Sequence, residues 1–135
     1  MPRWDEAKAY FFIGRWCPFH EGHKYIVDSY LKADLRVVVG IRDTSYDEIP
    51  TNLRYEMIAA VYAAEMLSGQ LTVMVIPDIA QVITGRGVGY ALAKVPDEIA
   101  DISGTNVRQG KEQRVPKEAQ EIYDEWRSRN LEESK

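Results

Sequence analysis

Three short runs of almost unbroken apolar residues, "AYFFIG" at 9–14, "LRVVVGI" at 35–41 and "LTVMVI" at 71–76, constrain this chain more than any other feature. A strand with one face in water alternates apolar and polar side chains, so runs that do not alternate predict strands buried on both faces, as parallel sheets require. From Gly22 onward, "HKYIVDSYLKA" sets Ile26, Val27, Tyr30 and Leu31 at helical spacing with charge on the other side. Strand, helix and strand then fit within about 33 residues, the size of a right-handed crossover unit. The pattern repeats: Thr51 is predicted to cap a helix with Leu53, Met57, Val61, Ala64 and Leu67 on one stripe, Ser68-Gly69 stops it, and Pro77 stops the third strand. The expected fold is α/β, a parallel sheet with helices on both faces.

A chain of 135 residues is long enough for one proper core and too short for two ordinary domains, so residues 1–135 read as a single domain. With 45% hydrophobic and 28% charged residues, the composition is that of a globular protein and excludes wholesale disorder. A net charge of -4 argues against binding duplex nucleic acid across a broad basic face, while leaving room for small anionic ligands. The single cysteine, Cys17, rules out an intramolecular disulfide framework and a thiolate zinc cluster. No apolar run approaches the roughly 20 residues of a membrane span, and the first residues lack a leader's apolar core. The expected location is the cytoplasm, away from membranes.

Beyond residue 77 the periodicity weakens. "GRGVGY" places Gly85, Gly87 and Gly89 in a loop that either passes backbone close to a base or ribose or is a plain turn. No convincing helix follows it, so it is not a dinucleotide fingerprint. A helix is expected to begin near Ser103 or Gly104. Residues 116–135 are predicted to form a C-terminal helix and a frayed tail, "LEESK". Its stripe of Ile122, Tyr123 and Trp126 is either core or the contact of a homo-oligomer.

The chain's two histidines, His20 and His23, fall in the first strand-to-helix turn, "GRWCPFHEGH". Such a pair is explained equally by one solvated residue and one satisfied in the local hydrogen-bond network. Zinc ligation lacks a third ligand nearby. Their position supports a phosphate site: ligands of open parallel sheets bind beyond the carboxyl ends of the strands, and a helix N-terminus there attracts anions. Gly22 removes a side chain where phosphate would approach the backbone.

The stretch "FIGRWCPFHEGH" resembles the signature of the HxGH nucleotidylyltransferase superfamily, in particular the Gly-Arg-Phe-x-Pro-x-His-x-Gly-His form of archaeal-type nicotinamide mononucleotide adenylyltransferases and their bacterial and phage relatives. About eighty residues later, "ISGTNVR" at 102–108 resembles the family's Ile-Ser-x-Thr-x-x-Arg motif. "TNLRYEMI" and "VIPDI" resemble the elements between. Trp16 and Cys17 depart from the usual residues, and the stretch from Pro77 to Ser103 is shorter than in the nicotinamide enzymes.

The resemblance implies a Rossmann-like domain in which the phosphate of an acceptor attacks the α-phosphorus of a nucleoside triphosphate and releases pyrophosphate. An acceptor phosphate is already anionic near neutral pH, so alignment and charge relief are required rather than a general base. His20, His23 and Arg108 are then the catalytic candidates, and Gly14, Arg15, Gly22, Ser103, Gly104, Thr105, Gly85 and Gly87 the nucleotide-binding ones. Ser103 is equally a helix N-cap. Asp43 and Thr44, after the second strand, and Arg54, by family analogy, are acceptor candidates; a surface arginine at a helix start explains Arg54 as well. Mg²⁺ is expected to be held by substrate phosphates and water, with no protein metal cage. ATP is preferred as donor and nicotinamide mononucleotide as first acceptor. The alternatives are a cytidylyltransferase using CTP with a phosphosugar or phospho-alcohol, and a nucleotide-binding regulatory module without turnover.

Overall fold

The computed structural model describes residues 4–85 and 115–133. A single 3-10 turn at Trp4–Glu6 precedes β1 (Ala9–Gly14), α1 (Glu21–Lys32), β2 (Arg36–Asp43), α2 (Thr51–Val61), α3 (Ala63–Ser68), β3 (Leu71–Pro77) and α4 (Lys117–Glu133). The strands form a parallel sheet in the order β1-β2-β3. Register places Tyr10, Val37 and Leu71 level with one another, then Phe12, Val39 and Val73, then Gly14, Ile41 and Val75 at the carboxyl edge, all on one face.

That face is the core. Val37, Val39, Ile41, Leu71 and Val73 pack with Val27 of α1, Ile58 of α2, and Trp16, Phe19 and Tyr62. Tyr30 of α1 lies edge-on to Phe12, with ring centroids 5.1 Å apart. The strands advance across the sheet in one direction, and crossovers of one hand then set their helices on the same side. The opposite face, bearing Phe11, Ile13, Val38, Met74 and Ile76, has no helix over it among the described residues, and the helix expected near Ser103 or Gly104 lies outside them. For the same reason β1 is not buried on both faces: it is an edge strand among the described residues, and Phe11 keeps 50% of its surface exposed.

Three local expectations are also corrected. Pro50, not Thr51, is the N-cap of α2 and makes no side-chain cap, while Thr51 is the first helical residue. The single helix predicted over 51–67 breaks at Tyr62, which ends α2 and opens α3. Tyr62 is buried there and its hydroxyl donates to Asp28 Oδ1 at 3.0 Å. Past the break the apolar stripe is no longer in register with the core, so Ala64 and Leu67 face solvent. The stop itself falls as the sequence predicts: Gly69 takes the left-handed conformation, φ 89°, that side-chain-bearing residues resist.

The C-terminal helix α4 docks on α2. Ala119, fully buried, with Ile122, Tyr123 and Trp126 packs against Cys17, Ile49, Leu53 and Met57. The stripe of Ile122, Tyr123 and Trp126 therefore packs, partly buried, against the core. The helix continues to Glu133, past Leu131 where fraying is expected. Among the described residues no helix is long and apolar enough to cross a membrane.

Candidate nucleotide site at the strand ends

The carboxyl ends of β1 and β2 and the start of α1 meet at one edge of the sheet. The turn between β1 and α1 is held by Trp16, whose backbone adopts φ 55°. That conformation disfavours a residue with a Cβ by about 1–2 kcal/mol. A bond from the Trp16 indole N–H to the Gly40 carbonyl, 2.8 Å, offsets it, and the ring is buried. A Cβ at Gly14 would stand 3.1 Å from the same indole, so the glycine's first role is to admit Trp16.

His20 is the N-cap of α1 and His23 its third residue. Each side chain caps the other's backbone: the His23 amide donates to His20 Nδ1 at 3.4 Å, and the His20 amide donates to His23 Nδ1 at 3.2 Å. This is a capping box built from two imidazoles where serine and glutamate are usual. The rings stack at a centroid distance of 3.6 Å and 17° between planes. Because both Nδ1 atoms accept, the proton of each neutral ring sits on Nε2. His20 is buried, and His23 is partly buried against Phe19 and edge-on to Trp16, 5.7 and 4.7 Å between centroids. Burial first, and the neighbouring His20 second, push the His23 pKa down to about 3. His23 is thus a neutral N–H donor at physiological pH. Of the four amides a helix start leaves without an intrahelical acceptor, those of His20 and His23 are taken by the imidazoles, and those of Glu21 and buried Gly22 meet no acceptor among the described residues.

The loop after β2 is fastened to this turn through Arg54, which is 1% exposed. Its guanidinium donates to the carbonyls of Ile49 (2.9 Å), Arg15 (2.5 Å), Arg42 (3.2 Å) and Thr44 (3.2 Å) and to Thr51 Oγ1 (2.8 Å). Arg54 thus ties the β1 end, the β2 end and the α2 start together from beneath. It is not the surface residue that the sequence allowed. Asp47, its side chain 6% exposed, accepts from Arg15 Nη1 at 2.9 Å and from the Thr44 hydroxyl, and stands 3.8 Å from Arg54 Nη1.

Of the expected site residues, the structure gathers Gly14, Arg15, His20, Gly22, His23, Asp43 and Thr44 at this edge. Arg15 is partly exposed, held by Asp47. Thr44 faces inward, its hydroxyl committed to Asp47, whereas Asp43 is exposed and accepts from Thr51 Oγ1 at 2.7 Å. Gly85 is exposed, in irregular chain after β3. Gly87, Ser103, Gly104, Thr105 and Arg108 lie outside the described residues. Sequence reasoning missed Asp47 and Tyr46, which sit in a polar loop without periodicity; the one available signal was their nearness to a strand's carboxyl end. Among the described residues no three His, Cys, Asp or Glu side chains converge as metal ligands.

No protein-family model matches the chain, and no curated protein matches it.

Proposed function

We propose that the chain is a nucleotidyltransferase of Rossmann-like architecture that moves a nucleoside monophosphate, AMP from ATP by preference, onto a phosphorylated small-molecule acceptor. The observation that carries this reading is the reciprocal histidine cap. It puts two imidazoles at a helix N-terminus beside the carboxyl edge of a parallel sheet, where such sheets commonly bind ligands, each with Nδ1 bound to backbone and its ring proton on Nε2.

An oxygen of the acceptor phosphate forms a bond to the α-phosphorus as the bond from that phosphorus to the pyrophosphate oxygen breaks. The acceptor enters as an anion, so no proton has to be removed from it. Charge spread over the phosphoryl oxygens is met by the Nε2–H groups of His20 and His23 and by the amides of Glu21 and Gly22 at the positive end of α1. A neutral donor suits this task, because it is present at constant strength across physiological pH. Arg15 adds a guanidinium beside the first turn. Ser103, Gly104, Thr105 and Arg108 are proposed, on the sequence resemblance, to hold the β- and γ-phosphates. Mg²⁺ enters as part of the nucleoside triphosphate and neutralises charge on its oxygens.

The test is pyrophosphate release from ATP or CTP, each with and without nicotinamide mononucleotide, a phosphosugar or a phospho-alcohol. Acceptor-dependent release with ATP supports the adenylyltransferase reading, and release with CTP alone moves the proposal to the cytidylyltransferases. Nucleotide binding without release under any acceptor overturns the catalytic reading in favour of a regulatory module.

A further inference from the structure

The loop between β2 and α2 is fastened by inward-facing side chains at three of its seven positions, while Ser45, Tyr46, Glu48 and Pro50 are exposed. Thr44 and Ile49 are buried, and the Asp47 carboxylate is almost so. Tyr46, between them, keeps 64% of its surface in solvent. The exposure does not come from a loose loop. Asp47 holds Arg15, Thr44 and Arg54, Arg54 holds the Thr44 and Ile49 carbonyls, and Ile49 is anchored in the core beneath α4. A large ring left in water on a fastened loop forgoes burial that the fold could otherwise gain. The Arg15 guanidinium carbon stands over this ring, 5.9 Å from its centroid, and Arg15 itself comes from the end of β1, next to the histidine turn.

An exposed aromatic ring and a restrained cation side by side match the two parts of a mononucleotide. The flat ring offers a stacking surface that is tolerant of base identity, and the guanidinium offers N–H donors to phosphate. We propose that Tyr46, seated beside Arg15, is a specificity-determining residue of the acceptor site: it selects phosphate esters that carry a planar heteroaromatic ring over sugar phosphates that lack an aromatic ring. The inference rests on the reading of this edge as a nucleotidyl-transfer site and adds to it which chemical class the acceptor belongs to and which residue chooses it.

Isothermal titration calorimetry with nicotinamide mononucleotide and ribose 5-phosphate compares the same phosphate with and without a ring. The expected result is tighter binding of the ring-bearing probe by the unaltered protein. In Tyr46→Ala that preference disappears, with roughly ten-fold or greater weakening toward the ring-bearing probe. Tyr46→Phe and Tyr46→Trp keep the preference, which a hydroxyl-dependent or merely structural role would not allow. In turnover the loss falls on the acceptor's KM. Equal binding of the two probes by the unaltered protein, or a Tyr46→Ala defect that falls on ATP instead, overturns the inference while leaving nucleotidyl transfer standing. Failure to bind any nucleotide overturns the underlying reading and the inference with it.

Discussion

His20 and His23 are each other's helix cap: the amide of each donates to Nδ1 of the other, at 3.4 and 3.2 Å, and their rings stack 3.6 Å apart. The structural need is met by Nδ1, and the proposed chemical role falls to Nε2 of the same rings. Capping satisfies two amides of α1, and because it occupies both Nδ1 positions it places the remaining ring proton of each neutral imidazole on Nε2.

The tautomers are directly observable. Long-range ¹H–¹⁵N correlation spectra are expected to show protonated Nε2 and unprotonated Nδ1 for both histidines at pH 7. The His23 signals are expected to stay in the neutral form through pH 5, well below the ordinary histidine midpoint. A proton on Nδ1 of either ring contradicts the reciprocal cap.

Stability carries the same signature. The His23 pKa is near 3 when folded and near 6.5 when unfolded, so between those values the unfolded chain binds a proton that the native one does not. Stability is then full above pH 6.5 and falls as pH drops below it, by up to about 1.4 kcal/mol per pH unit for this one group. Urea unfolding between pH 7.5 and 5 checks this. A His23→Asn variant, which has no group to titrate there, is expected to lose that part of the slope.

Arg54 is predicted to govern folding rather than ligand affinity. Arg54→Ala leaves four carbonyls and the Thr51 hydroxyl without the guanidinium donor, removes a cation near the Asp47 carboxylate, and is expected to cost about 3–5 kcal/mol in chemical denaturation. Arg54→Lys recovers little of it, since one ammonium cannot reach acceptors arranged around a planar fork.

Two glycines should respond differently to alanine. At Gly40 the new Cβ meets the outer ring atoms of Phe11 at 2.8 Å, but that side chain is half-exposed and can swing aside. At Gly14 the contact is longer, 3.1 Å, yet the obstacle is the Trp16 indole, which is buried and hydrogen-bonded to Gly40. Gly14→Ala is therefore the more damaging change, by about 1–3 kcal/mol, and shifts tryptophan emission. Gly40→Ala stays close to the unaltered protein in both measurements.

The elements that position the site are legible in the sequence where local pattern and tertiary packing agree. The limits of β1 follow from its apolar run and Gly14, the histidines fall at the start of α1 as the turn residues imply, and Gly69 stops α3. Arg54 was not legible. A charged residue in the first turn of an amphipathic helix looks like surface, and only the convergence of three chain segments on it makes burial favourable. The break at Tyr62 was hidden because helical spacing continues through it; the bond to Asp28, 34 positions earlier, has no trace in a local window. The reciprocal form of the imidazole cap is not legible for a related reason, since histidine is not among the residues that usually mark a helix start.

The central claim is that Nε2–H of the histidine pair serves phosphoryl chemistry and not only the helix, and His20→Asn separates the two. Asparagine is a strong N-cap whose carbonyl oxygen can accept the His23 amide as Nδ1 does, but it carries nothing at the Nε2 position. The measurement is acceptor-dependent pyrophosphate release from ATP by His20→Asn, beside its urea unfolding curve. Unfolding close to that of the unaltered protein and release slower by about 100-fold or more are expected. Release at the unaltered rate from an equally stable variant would contradict the central claim, leaving the histidines as a helix cap alone.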